Sequence, residues 1–106
     1  RVLGRFVRES GTVTLVDALR KMALMPAQRL EHRVPAMAGK GRIKIGADAD
    51  IAVFDPQRVM DKATYQQPTL PSEGISHVLV NGVPVVRDSE LQTDVLPGRG
   101  ILAPVR

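Results

Sequence analysis

The chain has 106 residues, about the length of one ordinary domain. Hydrophobic residues make up 43% and charged residues 25%, with a formal net charge of +4, so the composition is globular and argues against disorder. Aromatic residues make up only 3%, which counts against a stacking platform for single-stranded nucleic acid, and the lack of cysteine excludes disulfides and thiolate metal sites. No apolar run approaches the roughly 18 residues of a membrane span. We expect a cytoplasmic protein that binds neither nucleic acid nor a membrane.

The first nine residues are predicted to form an amphipathic helix. Leu3, Phe6 and Val7 recur at helical spacing and define a packed face. The remaining face carries basic side chains, which we expect to be solvated rather than to bind phosphate: Arg1, Arg5 and Arg8.

A second helix is predicted to begin after Thr14. The Thr14 hydroxyl can accept a backbone N–H of the first turn, and Asp17 can reach back toward it. Apolar residues follow at i, i+4, i+7 and i+8, as one stripe of a helix requires. Because the residue before a proline avoids the α region, the helix is expected to end at Met25 and a short one to run from Pro26 to Leu30. The stripe consists of Leu15, Leu19, Met22 and Ala23.

Strand patterns begin after the loop that follows Val34. Residues 42–45 alternate polar and apolar side chains, which predicts a short half-buried strand. Residues 50–55 are nearly all apolar between two aspartates, which predicts a strand covered on both faces. Residues 57–72 have no regular pattern and contain two prolines, which indicates a connection along the surface.

Residues 75–87 predict a β-hairpin. Asn81 and Gly82 are the preferred pair for a two-residue type I′ turn, in which both residues need a positive φ. Pro84 cannot donate a hydrogen bond to a neighbouring strand, so it should face an edge or a bulge. The tail from Asp88 onward is expected to wrap the outside of the fold.

No pattern in these residues identifies a metal site. A hydrolytic zinc site needs about three protein ligands, but His32 and His77 lie in unrelated segments and are expected to be surface residues. Asp50 and Asp55 bracket a strand, which holds them about 16 Å apart when extended. They therefore cannot bind one cation together with the neighbouring Asp48.

Catalytic and cofactor-binding patterns are also missing from the sequence. The Gly-Lys-Gly run at 39–41 lacks the spacing of the known phosphate-binding loops. No histidine stands beside the serines in a catalytic pattern, so hydroxyl nucleophile chemistry lacks visible partners. These serines are Ser10, Ser72, Ser76 and Ser89.

The apolar strands have too few partners to cover them, which suggests that the chain is part of a larger protein. The sequence begins with Arg1 rather than Met, in keeping with a processed product or an incomplete piece. Uncovered strand faces also predict marginal stability or self-association of the isolated chain.

Two segments after residue 40 resemble a known family. Residues 41–55 read GRIKIGADADIAVFD and resemble the G-x-I-x-x-G-x-x-A-D-hydrophobic-x-V-F-D signature near the C-terminus of amidohydrolase-superfamily enzymes. Residues 78–86 read VLVNGVPVV and resemble the closing V-x-V-N-G-x-x-V hairpin of these enzymes. Further segments are similar to the D-aminoacylase (N-acyl-D-amino-acid deacylase) branch: 1–9, 26–30, 61–65, 72–75 and 97–99.

The resemblance implies an incomplete α+β fold. Residues 1–33 would be the terminal helices of a catalytic (β/α) barrel, and residues 40–106 would be strands of a small β-sandwich that is built from both chain ends. Barrel active sites lie at the C-terminal ends of the strands. The family's metal ligands and acid/base carboxylate would therefore precede Arg1, which leaves no catalytic, cofactor-binding or metal residue to assign here.

The implied parent enzyme hydrolyses an amide C–N bond, most closely that of an N-acyl-D-amino acid. Zinc or another divalent metal in the barrel would activate water, and a carboxylate would move the proton to the leaving amine. The partners implied are the remainder of the parent chain and a small-molecule amide substrate. The isolated residues are expected to be structural, inactive and free of stoichiometric zinc.

Three other interpretations remain open from the sequence. Dihydroorotase- and hydantoinase-like cyclic amidases share the strand signature. A self-standing β-rich binding or scaffold module could dock a partner by pairing with an edge strand. A basic nucleic-acid-binding domain would show salt-dependent binding to DNA or RNA.

Overall fold

The computed structural model describes residues 1–105, so the predicted range 40–106 ends on a residue, Arg106, that lies outside the described part. The fold is α+β, with helices in the first 39 residues and a four-stranded antiparallel sheet after them. No helix among residues 1–105 has the length and apolar character needed to cross a bilayer. The helical elements are a π-helix at Val2–Glu9, α1 at Leu15–Leu19, a π-helical turn at Arg20–Leu24, α2 at Met25–Glu31 and a 3-10 helix at Pro35–Gly39. The strands are β1 at Ile51–Phe54, β2 at Ile75–Val80, β3 at Val83–Arg87 and β4 at Glu90–Leu91.

The predicted start of the second helix is confirmed. The Thr14 hydroxyl accepts the backbone N–H of Asp17 at 3.2 Å, which satisfies one of the free amide groups of the first turn. The same hydroxyl donates to the Asp17 carboxylate at 3.1 Å. The cap and the first-turn carboxylate therefore support each other, as the sequence indicated.

The prediction that this helix ends at Met25 is wrong. Met25 has φ −63° and ψ −43°, and the helix runs without interruption from Leu15 to Glu31. The Met25 N–H bonds to the Arg20 carbonyl five residues back, which is the wider π-type turn. Proline lacks an N–H and clashes with the carbonyl four residues earlier in a regular helix. The wider turn before Pro26 is where the helix accommodates that proline.

The opening helix forms as predicted, but its basic face is not wholly solvated. Arg8 is half-buried, and its guanidinium donates to the carbonyls of Val59 at 2.9 Å and Pro56 at 3.1 Å. Arg1 pairs with Asp61 at 3.0 Å, and Arg5 is exposed. The expectation of a solvated face fails at Arg8 because its guanidinium binds the carbonyls of Pro56 and Val59, which lie 48 and 51 residues later in the sequence.

The predicted hairpin is confirmed. Strand β2 pairs with β3, and Asn81 and Gly82 at the turn have φ values of 49° and 77°, as a type I′ turn requires. Pro84 lies opposite Leu79 where the register shifts, which confirms that it occupies an irregular position. The sheet order is β1-β2-β3-β4, and β1 lies at an edge of the sheet.

The predictions for residues 42–45 and for the tail differ from the structure. Residues 42–45 form a turn rather than a strand, with Ile43 and Ile45 exposed, because within residues 1–105 no neighbouring strand pairs with them. The tail does not simply wrap the outside, since Asp88 and Ser89 turn the chain at φ values of 51° and 68° and β4 then pairs with β3. The alternation at residues 42–45 describes one face of a strand, but it does not provide the neighbouring strand that the segment would need.

The core of the described residues is small. Only Ala18, Ala27 and Val59 are buried hydrophobic residues, at 1%, 2% and 7% exposure. β1 is not covered on both faces within this chain, since Val53 is 47% exposed. The Val59 carbonyl accepts a hydrogen bond from the Arg8 guanidinium, and the Val59 backbone lies beside Gly74, which precedes β2. Val59 therefore joins the opening helix to the sheet.

We predict that Gly74→Ala destabilises the fold by about 2 kcal/mol or more, because left-handed φ alone costs an alanine about 1–2 kcal/mol. Gly74 has φ +78°, and a Cβ there would lie 2.5 Å from the Val59 nitrogen. Gly98→Ala is the matched control, since a Cβ there meets no described atom within 4 Å and the change should stay within about 0.5 kcal/mol. Urea unfolding midpoints measure both variants, and equal midpoints would contradict the close packing at Gly74.

Candidate functional site

The most connected polar cluster lies where the helices meet the sheet. The Lys40 ammonium contacts the Asp48 carboxylate at 3.1 Å and the Asp50 carboxylate at 2.5 Å. Lys40 is only 20% exposed, so its charge is largely enclosed by these two partners. Lys40 follows the 3-10 helix directly and Asp50 precedes β1, so the ion pairs join the two halves of the chain.

Asp50 extends this cluster into the hairpin. Its second carboxylate oxygen accepts the backbone N–H of Asn81 at 2.9 Å, and the Gly82 N–H bonds to the Ala49 carbonyl at 2.9 Å. The Asn81 side chain donates to the Pro97 carbonyl at 2.7 Å, which fixes the tail on the same turn. The β2–β3 turn, the start of β1 and the tail therefore meet at one point.

The charges of the cluster stabilise one another. The hydrogen bond to Asp50 is the main cause that raises the pKa of Lys40 above its ordinary value of 10.5. The same bond, followed by that from the Asn81 amide, lowers the pKa of Asp50 below its ordinary value of 3.8. Both groups are therefore held in their charged forms across the neutral range.

A second ion pair lies on the helical side of the cluster. Arg42 contacts the Glu31 carboxylate at 2.8 Å, with side chains that are 21% and 26% exposed. The Arg42 Nε also donates to the Lys40 carbonyl at 3.0 Å. We call these contacts of Glu31, Lys40, Arg42, Asp48 and Asp50 the polar clasp.

The residues weighed as metal ligands do not meet in one site. Asp48 and Asp50 do converge, but the cation between them is the Lys40 ammonium, and Asp55 instead accepts the Gln57 N–H at 2.8 Å. His77 lies beside Asp88 at 3.5 Å, while His32 is exposed at the end of α2. Within residues 1–105, no three histidine or acidic side chains are grouped so that they could hold a metal ion.

Ser10 and Ser76 also lack the geometry of a nucleophile. The Ser76 hydroxyl donates to the Val53 carbonyl at 3.2 Å, and the Ser10 hydroxyl lies 2.7 Å from that of Thr12. A serine nucleophile needs a general base within hydrogen-bonding distance. These two hydroxyls are instead used in local structure.

An open groove of about 540 Å³ lies beside β2 and β3. Its lining contains no carboxylate, imidazole or amine, so it can accept apolar groups but cannot transfer protons. Its apolar wall includes Val80, Val85, Leu91, Val95 and Leu96.

The chain exposes much more surface than a complete domain of its size. The accessible surface is 8252 Å², against about 5,800 Å² expected for a folded monomer of 11.5 kDa. The radius of gyration is 15.4 Å, against about 13 Å for a compact chain of this length. The exposed surface includes large hydrophobic side chains on the helices, namely Val16, Leu19, Met22, Met25 and Leu30.

Sequence reasoning missed the polar clasp. It examined the aspartates as ligands for an external cation and did not consider a lysine of the same chain. Asp48 and Asp50 lie eight and ten residues after Lys40, but the segment that separates them from Lys40 contains Gly41 and Gly46 and forms no regular helix or strand that could relate their positions. The one local signal was the basic character of the loop in which Lys40 and Arg42 lie.

Comparisons with known proteins give consistent matches. The Amidohydrolase family pattern matches residues 1–86. An N-acyl-D-glutamate deacylase from Alcaligenes xylosoxydans xylosoxydans is 52% identical over 85 residues, which are 80% of this chain and 16% of that protein. The chain therefore spans about a sixth of that relative.

Solved structures match over a similar share. The N-acyl-D-glutamate deacylase of Bordetella bronchiseptica, in complex with zinc and a phosphonate inhibitor, has a TM-score of 0.73 and 47% identity over 80% of this chain and 17% of its own. A D-aminoacylase crystal structure has a TM-score of 0.78 and 36% identity over 88% of this chain and 19% of its own. The helices and the four-stranded sheet therefore match those of known structures.

We predict that Lys40→Met lowers the free energy of unfolding by about 1–2 kcal/mol near pH 7, because it leaves two carboxylates facing each other without their cation. Asp50 has a lowered pKa, so its contribution should be lost as pH falls below the usual aspartate range. Lys40 has a raised pKa, so its contribution should be lost as pH rises above 10.5. The difference between wild type and Lys40→Met should therefore be largest between these limits.

The matched control is Lys62→Met. Lys62 pairs with Glu73 at 3.0 Å, but these side chains are 45% and 64% exposed, so the change should have little effect. Chemical unfolding from pH 3 to 11 measures both variants. Equal losses for the two would show that the Lys40 pairs contribute no more than a surface contact.

Proposed function

This chain belongs to the amidohydrolase family, and on that premise we propose that it is the C-terminal portion of a metal-dependent enzyme that hydrolyses the amide bond of an N-acyl-D-amino acid. The supporting observation is the pattern of coverage. Deacylases of N-acyl-D-amino acids match 80% to 88% of this chain, while the chain covers only 16% to 19% of those proteins. A relative at 52% identity makes N-acyl-D-glutamate the first substrate to test.

Within this proposal the two halves of the chain belong to different parts of the parent enzyme. Residues 1–33 are its last barrel helices, and residues 40–106 are strands of its smaller β-sandwich. The long helix from Leu15 to Glu31 supports the first assignment, since its apolar residues Leu19 and Met22 are exposed as if a barrel sheet should cover them. The uncovered face of β1 and the apolar groove support the second.

The metal of the parent enzyme is assigned to residues outside this chain. Residues 1–105 do not fit a catalytic metal, because His32 and His77 lie apart and the converging aspartates already hold the Lys40 ammonium. A related deacylase was solved with zinc, so zinc is the metal we propose for the complete protein. The contribution of the present residues to the reaction is structural.

The structural contribution is to hold the barrel helices and the sandwich in a fixed relation. The polar clasp connects Glu31 at the end of α2 with Asp50 before β1, and Arg8 connects the opening helix with the segment after β1. An active site at the ends of barrel strands depends on the position of its surrounding helices. Side chains that never touch the substrate can therefore still affect turnover.

The test is an assay of the complete polypeptide encoded by the gene. We expect it to release the free D-amino acid from N-acyl-D-glutamate or a related N-acyl-D-amino acid, and to lose this activity when a chelator removes the metal. The L-enantiomer of the same substrate is the control. The reading frame ahead of the Arg1 codon should encode a barrel with an H-x-H pair.

Three outcomes would contradict the proposal. Hydrolysis of dihydroorotate or a hydantoin without deacylation would place the enzyme in another branch of the superfamily. Turnover or stoichiometric zinc in residues 1–106 alone would overturn the structural role of this chain. A reading frame that lacks a barrel would favour the self-standing module.

A further inference from the structure

The turn at residues 42–46 presents two uncovered isoleucines in a defined position. Ile43 and Ile45 are exposed to 91% and 104% of their reference areas, so within residues 1–105 they have almost no packing partner. They flank Lys44, which is also exposed. Single exposed apolar residues are common on proteins and need no explanation, but here one short turn exposes two β-branched side chains.

The base of this loop is fixed by the polar clasp. The Asp48 N–H bonds to the Gly39 carbonyl at 3.0 Å and closes the loop, and Lys40 contacts Asp48 across the same base. Arg42, the residue directly before Ile43, is held by Glu31 and by the Lys40 carbonyl. At the tip, the Ala47 N–H bonds to the Lys44 carbonyl at 3.1 Å.

These contacts distinguish the two isoleucines from the exposed residues of the tail. Leu102 is 87% exposed in a segment without regular structure, where a side chain can sample many positions. A closed loop has already lost much of its conformational freedom, so burying its side chains costs less entropy than ordering a free segment. The clasped loop (residues 39–48) is therefore suited to hold an apolar contact.

We propose that Ile43 and Ile45 form an anchor that the remainder of the parent polypeptide buries. The inference rests on the proposed function, because it takes the covering surface from the same chain. A stable interface between separate molecules takes about 20–30 residues from each partner. Two isoleucines fall far short of that, whereas a covalently connected segment needs no such area to stay in place.

The length of the relatives supports this choice of occupant. The chain covers 16% of the N-acyl-D-glutamate deacylase it matches, so most of such a protein lies outside these residues. The surface excess over a complete domain likewise calls for a large covering surface rather than a short peptide. The proposal is thus that the loop acts as an apolar contact between the C-terminal residues and the rest of the fold.

The experiment measures how fast a thiol reagent labels single cysteines in the complete polypeptide. Ile43→Cys and Ile45→Cys should react about tenfold more slowly than Lys44→Cys, since a buried thiol reacts only through local opening. Lys44→Cys is the matched control at the same tip, because an unpaired lysine is costly to bury and should face water. The polypeptide without the substitution gives the background labelling.

A second measurement covers the case in which a cysteine variant fails to fold. Ile43→Ser and Ile45→Ser should each lower the melting temperature of the complete polypeptide by several degrees, and Lys44→Ser should not.

Rapid labelling at all three positions, in a polypeptide that still deacylates its substrate, would overturn the anchor and leave the proposed function intact. If the cysteines at positions 43 and 45 label slowly only at concentrations where the polypeptide self-associates, and rapidly in the monomer, the covering surface belongs to a second copy. That result would also overturn the anchor. Protection in a polypeptide that never deacylates would support the anchor while contradicting the proposed function.

Discussion

The Lys40 ammonium lies between the Asp48 and Asp50 carboxylates, and the connection between the helices and the sheet depends on it. Lys40 closes the loop that follows the helices, and Asp50 directly precedes β1, the first strand of the sheet. Because Asp50 also accepts the Asn81 amide, the same carboxylate fixes the β2–β3 turn. A polar contact carries this connection because the described residues offer little apolar burial at the junction.

The apolar contacts of the chain are much less complete than its polar contacts. Among residues 1–105, no buried side-chain nitrogen or oxygen lacks a hydrogen-bond partner, and the ion pairs at Arg42 and Lys40 are formed within the chain. Only three hydrophobic residues are buried, while large side chains on the helices and at the loop tip face solvent. Hydrophobic burial is the main driving force of folding, so the chain satisfies its polar groups alone but not its core.

Local features of the fold could be predicted from the sequence, and nonlocal ones could not. The Thr14 cap and the Asn81–Gly82 turn depend on neighbouring residues, and both were predicted correctly. The prediction that the helix ends at Met25 failed for a local reason. A π-type turn lets the helix continue past Pro26, although a proline normally ends a helix. The failure at residues 42–45 is nonlocal, since alternation describes a strand but does not provide the strand beside it.

In the candidate site, too, local features could be predicted and contacts between distant residues could not. The strand between Asp50 and Asp55 correctly predicts that these two carboxylates are apart, but the ammonium that Asp48 and Asp50 share comes from an irregular loop. Arg8 was likewise assigned to water, because the carbonyls it binds lie about 50 residues away in sequence. Polar residues in loops acquire their partners only through the tertiary fold, so pattern reading identifies their chemistry and misses their contacts.

The polar groups of the chain have partners while many of its hydrophobic side chains do not. This difference constrains the surface that would cover these residues in the proposed parent enzyme. The charged side chains that join the helices to the sheet already have partners, so a covering surface of opposite charge would gain little there. The helices also expose large hydrophobic side chains, and the wall of the groove and the turn at residues 42–46 add exposed aliphatic ones. A surface that covers these hydrophobic side chains must therefore itself offer apolar groups. In the proposed parent enzyme, charge pairing would then fix the internal geometry of these residues, and apolar burial would attach them to the remainder of the polypeptide.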